Sequence, residues 1–205
     1  MNNTKPADII YLQELIPDIK LEMVYAGTHN FIGDIIDGYK NPVALLSQPA
    51  AAALSLIQEE LRAFKLSLKI FDAYRPQQAV DHFVRWSEDV SDIRHKEKFY
   101  PTLTKPELFS EGYIVKKSSH SRGSTVDLTI VDNAGNELDM GTPFDFYGPQ
   151  SWPTYMDLTT TQLSNRLLLR SLMVSHGFTP FATEWWHFTL KNEPYPNTYF
   201  NFEVA

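Results

Sequence analysis

The sequence predicts an α+β fold: a largely antiparallel central sheet flanked by helices. Three observations lead there. Segments of helical period are interspersed with segments that alternate apolar and polar residues. Short turns link several neighbouring strands, as antiparallel pairing allows. The 205 residues are enough for one domain with a substantial core. A single domain over 1–205 is therefore expected, with residues 87–112 forming a surface excursion of the kind that serves as a lid or binding loop.

Residues 19–41 mix short apolar pairs with Gly27, Gly33 and Gly38 and end at Asn41-Pro42, which reads as strands joined by turns. Leu54, Ile57, Leu61 and Phe64 then recur at steps of three and four behind an Ala-rich start after Pro49, the mark of a helix. Leu66, Leu68 and Ile70 alternate with polar residues, as in a strand, and lead into Asp72-Ala73-Tyr74-Arg75-Pro76. A second helix follows, with Pro76 near its first turn and Ala79, Val80, Phe83 and Val84 facing inward. Residues 87–112 are polar, charged and broken by Pro101 and Pro106. Val126, Leu128 and Ile130 alternate with Asp127 and Thr129, which puts Asp127 on a strand. Residues 133–136 form a turn, and 139–155 carry no clear period. A third helix opens with a capping box, Thr159 with Gln162, and is expected to bury Leu163, Leu167, Leu168 and Leu172. Gly177 ends it, and Phe178 to Leu190 returns as one or two strands with His187 at the start of the last.

Composition narrows the function. A hydrophobic share of 43% and a charged share of 21% are ordinary for a globular protein. The net charge of -7 argues against a nucleic-acid partner, which selects a basic face. With no cysteine, any metal must be held by His, Asp or Glu. No basic stretch precedes an apolar run at the N-terminus, and no apolar stretch is long enough to span a membrane. The expected location is the cytoplasm, a leader already removed being the one exception.

Two stretches carry the chemistry. Ser118-Ser119-His120-Ser121-Arg122-Gly123-Ser124-Thr125-Val126-Asp127 holds an imidazole and a carboxylate, and its Gly-containing turn can fold His120 back beside Asp127. Glu184-Trp185-Trp186-His187 adds a second imidazole and a second carboxylate. Two His and one Asp leave one position open on a tetrahedral Zn²⁺, the arrangement of a catalytic metal site, here at strand ends. Glu184 is then the spare carboxylate that takes a proton from water. Each residue also has an ordinary reading: an exposed His in a Ser/Gly turn, a half-buried His beside two Trp, a loop carboxylate. Positions i and i+3 do not share a face on a regular strand, so Glu184 must lie in the turn before His187. Arg75, held on a stiff segment by Pro76, is either an oxyanion-stabilising cation or a salt bridge near a helix start. His29, His82, His95 and His176 show no ligand spacing to one another.

These stretches, with Asp37-Gly38-Tyr39, Tyr74-Arg75-Pro76, Phe144-Asp145-Phe146 and Glu193-Pro194-Tyr195-Pro196-Asn197, make the chain from about Tyr25 onward resemble the zinc D-alanyl-D-alanine dipeptidases of the VanX type. The Ser-x-His-x-x-Gly-x-x-x-Asp and Glu-x-x-His pieces are common to the wider group of zinc D,D-peptidases acting on bacterial cell-wall peptides. The resemblance implies one Zn²⁺ per chain on His120, Asp127 and His187, Glu184 as general base and then acid, and Arg75 stabilising the tetrahedral intermediate. It also implies Ser118 near the substrate carboxylate, and Asp145 and Tyr25 near its ammonium. The implied partner is a small dipeptide, D-alanyl-D-alanine, with no nucleic acid and no membrane, and a homodimer is the expected assembly. A D,D-carboxypeptidase trimming longer wall peptides and a non-catalytic wall-peptide-binding module are the alternatives.

Overall fold

The fold brings Asp72, Asp127 and His187 opposite one another on three neighbouring strands. The computed structural model describes residues 3–205. Strand β1 (Ile9–Tyr11) runs into the short helix α1 (Leu12–Leu15) and pairs antiparallel with β3 (Leu45–Ser47), while β2 (Lys20–Leu21) lies between them in the chain. After helix α2 (Gln48–Arg62) come β4 (Leu66–Asp72), α3 (Gln77–Glu88), α4 (Lys96–Phe99) and α5 (Lys105–Ser110). The second half contributes β5 (Thr125–Asp132), α6 (Thr160–Ser175), β6 (Phe178–Pro180) and β7 (His187–Leu190). The main sheet has the order β2-β4-β5-β7-β6, and only the β2–β4 pair is parallel. The mixed, mostly antiparallel sheet with helices that the alternating periods predict is the one observed.

Helix α2 packs its Ala50, Leu54, Ile57 and Leu61 face onto the sheet, with Pro49 in the first turn. Alanine costs least in a helix interior, so the Ala run sets the helix and the larger apolars dock it. Buried Gln58 ties helix to strand: its Oε1 accepts from Leu68 N at 2.9 Å. Phe64, expected on this apolar face, is instead 76% exposed. The helix stops at Arg62, and Lys65, at φ 58, swings the chain into β4 before Phe64 can reach the core.

Two other expectations are corrected. Residues 19–41 are not a set of strands. Apart from β2 they form a 3-10 turn at Val24–Ala26 and irregular chain, organised by one buried amide. Asn30 Nδ2 donates to the carbonyls of Val24, Gly27 and Asp34, and its Oδ1 accepts from Ile32 N and Gly33 N. A side chain thus satisfies backbone groups that a ladder otherwise would. Helix α6 begins with the expected Thr159–Gln162 capping box, but its buried face is Arg166, Leu169 and Met173. Leu167 is 64% exposed and Leu168 is half out. The rotation is set by Arg166, whose guanidinium donates to the carbonyls of Met140, Gln150 and Trp152 at 2.6, 2.8 and 3.2 Å.

Within 87–112, α4 and α5 bury Phe99 and Leu108, and Tyr100 is buried beside them. Buried Lys105 Nζ donates to Trp86 O and Asp89 O at the end of α3, satisfying carbonyls left free there.

Candidate metal centre

The site lies where the register of the sheet and one bulge coincide. Ile70 pairs with Leu128 but Asp72 with Asp127, so the register shifts between them. Such a bulge re-aims side chains at a strand end. Asp72 therefore sits across from Asp127, and Asp127 across from His187. His120 comes from the 3-10 turn Ser119–Arg122, in which Ser118 Oγ accepts from His120 N at 3.3 Å. Gly123, at φ 82, reverses the chain into β5. A Cβ there would also lie 2.9 Å from Ile9 Cδ1, the movable end of a side chain, so the positive φ is what favours glycine at this turn.

Three ligand atoms converge. His120 Nε2 lies 3.2 Å from Asp127 Oδ2 and 3.3 Å from His187 Nδ1, and His187 Nδ1 lies 3.1 Å from Asp127 Oδ1. His120 Nδ1 is 2.6 Å from the carbonyl oxygen of Ala73. A carbonyl only accepts, so Nδ1 carries the proton and Nε2 presents its lone pair. His187 Nε2 contacts Ser119 Oγ at 3.3 Å, which turns Nδ1 toward the same point. Asp127 Oδ1 is buried and, despite its nearness to His187 Nδ1, meets no donor in hydrogen-bonding geometry. Electron-rich groups gathered this closely suit a shared cation. A proton bridges only two of them, whereas a metal ion satisfies all three. Bonds of about 2.0–2.1 Å at tetrahedral angles place ligand atoms about 3.3 Å apart. The His120 Nε2–His187 Nδ1 and His120 Nε2–Asp127 Oδ2 spacings are close to that edge length, and one donor atom from each residue lies within 4.8 Å of the others, an N₂O set that fits Zn²⁺.

Charge is arranged around this trio. Burial opposes ionisation of Asp127, but the neighbouring imidazoles of His120 and His187 prevail and hold its carboxyl well below the usual range. Glu184 lies in the 181–186 connection, outside both strands, with Oε2 3.5 Å from His187 Nδ1, so the condition on the i, i+3 spacing is met. Burial, reinforced by Asp127, pushes its carboxyl up to about 8, against the opposing pull of Arg75 and His120.

Arg75 Nε donates to Asp72 Oδ2 at 2.8 Å, and its Nη2 lies 3.5 Å from Asp127 Oδ2. The rings of Tyr25 and Phe83 flank it, 5.0 and 5.1 Å from the guanidinium carbon. Like charges opposite one another on paired strands repel, and Arg75 offsets this for Asp72 and Asp127. Burial works against its charge, but those two carboxylates hold it firmly protonated.

The remaining expected residues line the same cavity of about 340 Å³, near the lower end of the ~300–1,000 Å³ typical of small-molecule sites. Tyr25 OH donates to Asp145 Oδ2 at 2.8 Å, and Tyr147 OH to Asp145 Oδ1 at 3.2 Å. Burial, then Asp127, pushes the Asp145 carboxyl well above its ordinary value. Asp145 stands at φ 61, a costly conformation for a residue with a side chain, which here aims the carboxyl inward. Ser118 is buried on the cavity wall.

Asp72, Tyr39 and Tyr147 escaped the reading by residue type. Tyr39 OH donates to Asp72 Oδ1 at 2.6 Å and so completes the carboxylate that holds Arg75. The available signal was a charged residue ending an apolar strand three positions before Arg75. His82 and His176, set aside on spacing, pair instead with Asp37 and Glu60.

Comparison with known proteins agrees with this geometry. The model of the peptidase M15 family, described as D-Ala-D-Ala dipeptidase, matches residues 5–205. A protein of Streptomyces coelicolor named D-alanyl-D-alanine dipeptidase is 41% identical over 199 residues, 97% of this chain and 98% of that one. One of the same name from Enterococcus faecalis is 40% identical over 197 residues, 96% of this chain and 98% of its own. Another from Escherichia coli is 32% identical over 183 residues, 89% and 84% of the two chains.

Proposed function

The chain belongs to the D-Ala-D-Ala dipeptidase family of the M15 metallopeptidases, and from that membership we propose that it hydrolyses D-alanyl-D-alanine to two D-alanines with one Zn²⁺ held by His120, Asp127 and His187. The observation that carries this reading is the convergence of His120, His187 and Asp127, with one donor atom from each within 4.8 Å of the others and the Glu184 carboxyl alongside. When bound, the metal supplies Lewis acidity, polarising a carbonyl and lowering the pKa of a water toward neutrality. The trio forms part of the cavity wall, which leaves a side turned toward the cavity.

Glu184 accepts the proton of the attacking water and returns it to the nitrogen of the leaving amino acid. A carboxyl that buried surroundings push up to about 8 is readily protonated, and it becomes a base once a cation is placed beside it. Arg75 faces the cavity with a fixed positive charge, suited to the oxygen on which negative charge develops. Asp72 and the flanking rings hold it there without a search for geometry.

Asp145, steadied by the hydroxyls of Tyr25 and Tyr147, offers a buried carboxylate to the substrate ammonium, and Ser118 offers a hydroxyl to its carboxylate. An N-acylated peptide brings no charge to Asp145. A side-by-side assay of D-Ala-D-Ala and an acyl-D-Ala-D-Ala peptide tests this. Cleavage of the free dipeptide alone supports a dipeptidase, and preferential cleavage of the acylated peptide would instead make the protein a carboxypeptidase.

A further inference from the structure

The zwitterionic dipeptide carries a carboxylate into a cavity already lined by the carboxyl groups of Asp127, Asp145 and Glu184. Charge of that sign needs a counter-ion within a Debye length, or entry and binding are opposed. Two cations line the cavity, Arg75 and Lys117.

Arg75 is already committed. Its Nε is bonded to Asp72, its Nη2 faces Asp127, both carboxylates are buried, and aromatic rings flank the guanidinium. Turning it toward a substrate carboxylate would leave Asp72 and Asp127 facing each other without their shared cation.

Lys117 is in the opposite situation. It makes no ion pair among the described residues, and its Nζ rests over the ring of Tyr199 at 5.0 Å. It is exposed at the mouth and precedes Ser118, which is buried in the wall. A lysine there is a hydrated point charge on a flexible stem beside the cavity, available at no cost of breaking a fixed ion pair.

We propose that Lys117 is the counter-charge for the carboxylate of the substrate, a specificity-determining residue that selects ligands ending in a free carboxylate. The inference rests on the dipeptidase reading above and adds to it the cation that reads the C-terminal end. Asp145 and Lys117 then select opposite charges on the same small molecule.

The test compares wild type, Lys117→Met and Lys117→Arg, all zinc-loaded, on D-Ala-D-Ala and on D-alanyl-D-alaninamide. A partly exposed charge pair is worth a modest factor. Lys117→Met is expected to raise KM for the dipeptide about five-fold, with kcat changed by less than about two-fold. Its preference for the dipeptide over the amide, measured by kcat/KM or by competitive inhibition constants, falls by a similar factor, and Lys117→Arg restores most of it. Between about 20 and about 300 mM salt, KM rises less for Lys117→Met than for wild type. Lost packing on Tyr199 would shift both ligands equally and leave the salt dependence in place. A dipeptide-to-amide preference unchanged in Lys117→Met overturns the proposal, as does an equal loss on both ligands. Wild-type protein that leaves D-Ala-D-Ala intact fails the dipeptidase reading instead, and this inference with it.

Discussion

His120 Nδ1 donates to the carbonyl oxygen of Ala73 at 2.6 Å, and that bond decides which imidazole nitrogen faces Asp127 and His187. Ala73 immediately follows β4, so the strand that positions Asp72 also sets the tautomer of His120. The metal site is thus coupled to the sheet, and loading it should stabilise the whole domain. At a metal concentration a thousand-fold above Kd the gain is about 4 kcal/mol. For a chain of this size that is roughly a 10 °C rise in Tm. Differential scanning calorimetry with and without chelator measures it, and His120→Asn should abolish most of the difference.

Glu184→Gln keeps the shape of the side chain and removes its ability to take a proton. The expected result is a fall in kcat of about 10²- to 10⁴-fold with metal content unchanged. Atomic absorption on the variant, alongside a D-alanine release assay, separates loss of chemistry from loss of metal.

Asp72→Ala leaves the Arg75 guanidinium, which is 12% exposed, without its bonded carboxylate and Tyr39 OH without an acceptor. Breaking a buried pair from one side costs about 3–5 kcal/mol. Urea unfolding should show that loss, and activity should fall as well because Arg75 is no longer aimed.

Arg166 acts at a distance through the 139–155 loop. Its three bonds to the carbonyls of Met140, Gln150 and Trp152 brace the stretch that holds Asp145 at φ 61. Arg166→Met should destabilise by about 3 kcal/mol, from carbonyls left unpaired. It should also raise KM for the dipeptide more than it lowers kcat, as steady-state kinetics will show.

Acid sensitivity has a further source, on the surface. Hydrogen bonds from Arg62 lower the Asp18 pKa from 3.8 to about 2, and Arg94 likewise lowers Asp92 to about 2. Because the folded-state values are depressed, the unfolded chain takes up protons first as the pH falls. The stabilisation is full above about pH 3.8 and is lost as the pH passes through about 2. The stability gap between wild type and Asp18→Asn, Asp92→Asn should therefore be open at about pH 6 and closed near pH 2 in denaturant titrations.

The grouping of His120, Asp127 and His187 beside Glu184 was legible in the sequence because the chemistry proposed for them depends on residue type and local spacing. His120 and Asp127 share one turn and strand, as Glu184 and His187 share another. Asp72 and Tyr39 were not legible, since their roles arise only when distant segments meet around Arg75. Periodicity placed α2, α3 and α6 but misjudged the rotation of α6. Leu167 and Leu168 look like core by hydrophobicity, yet the loop carbonyls draw Arg166 inward and turn those leucines to solvent. The chain around Asn30 lacked strands because one amide does the pairing that alternation was expected to supply.

The most direct measurement is D-alanine release from D-Ala-D-Ala by protein stripped of metal and then reloaded with zinc. Activity should vanish on stripping and return in full at one Zn²⁺ per chain. Metal-free protein that still hydrolyses the dipeptide, or zinc-loaded protein that leaves it intact, would contradict the assignment of His120, Asp127 and His187 to a catalytic metal.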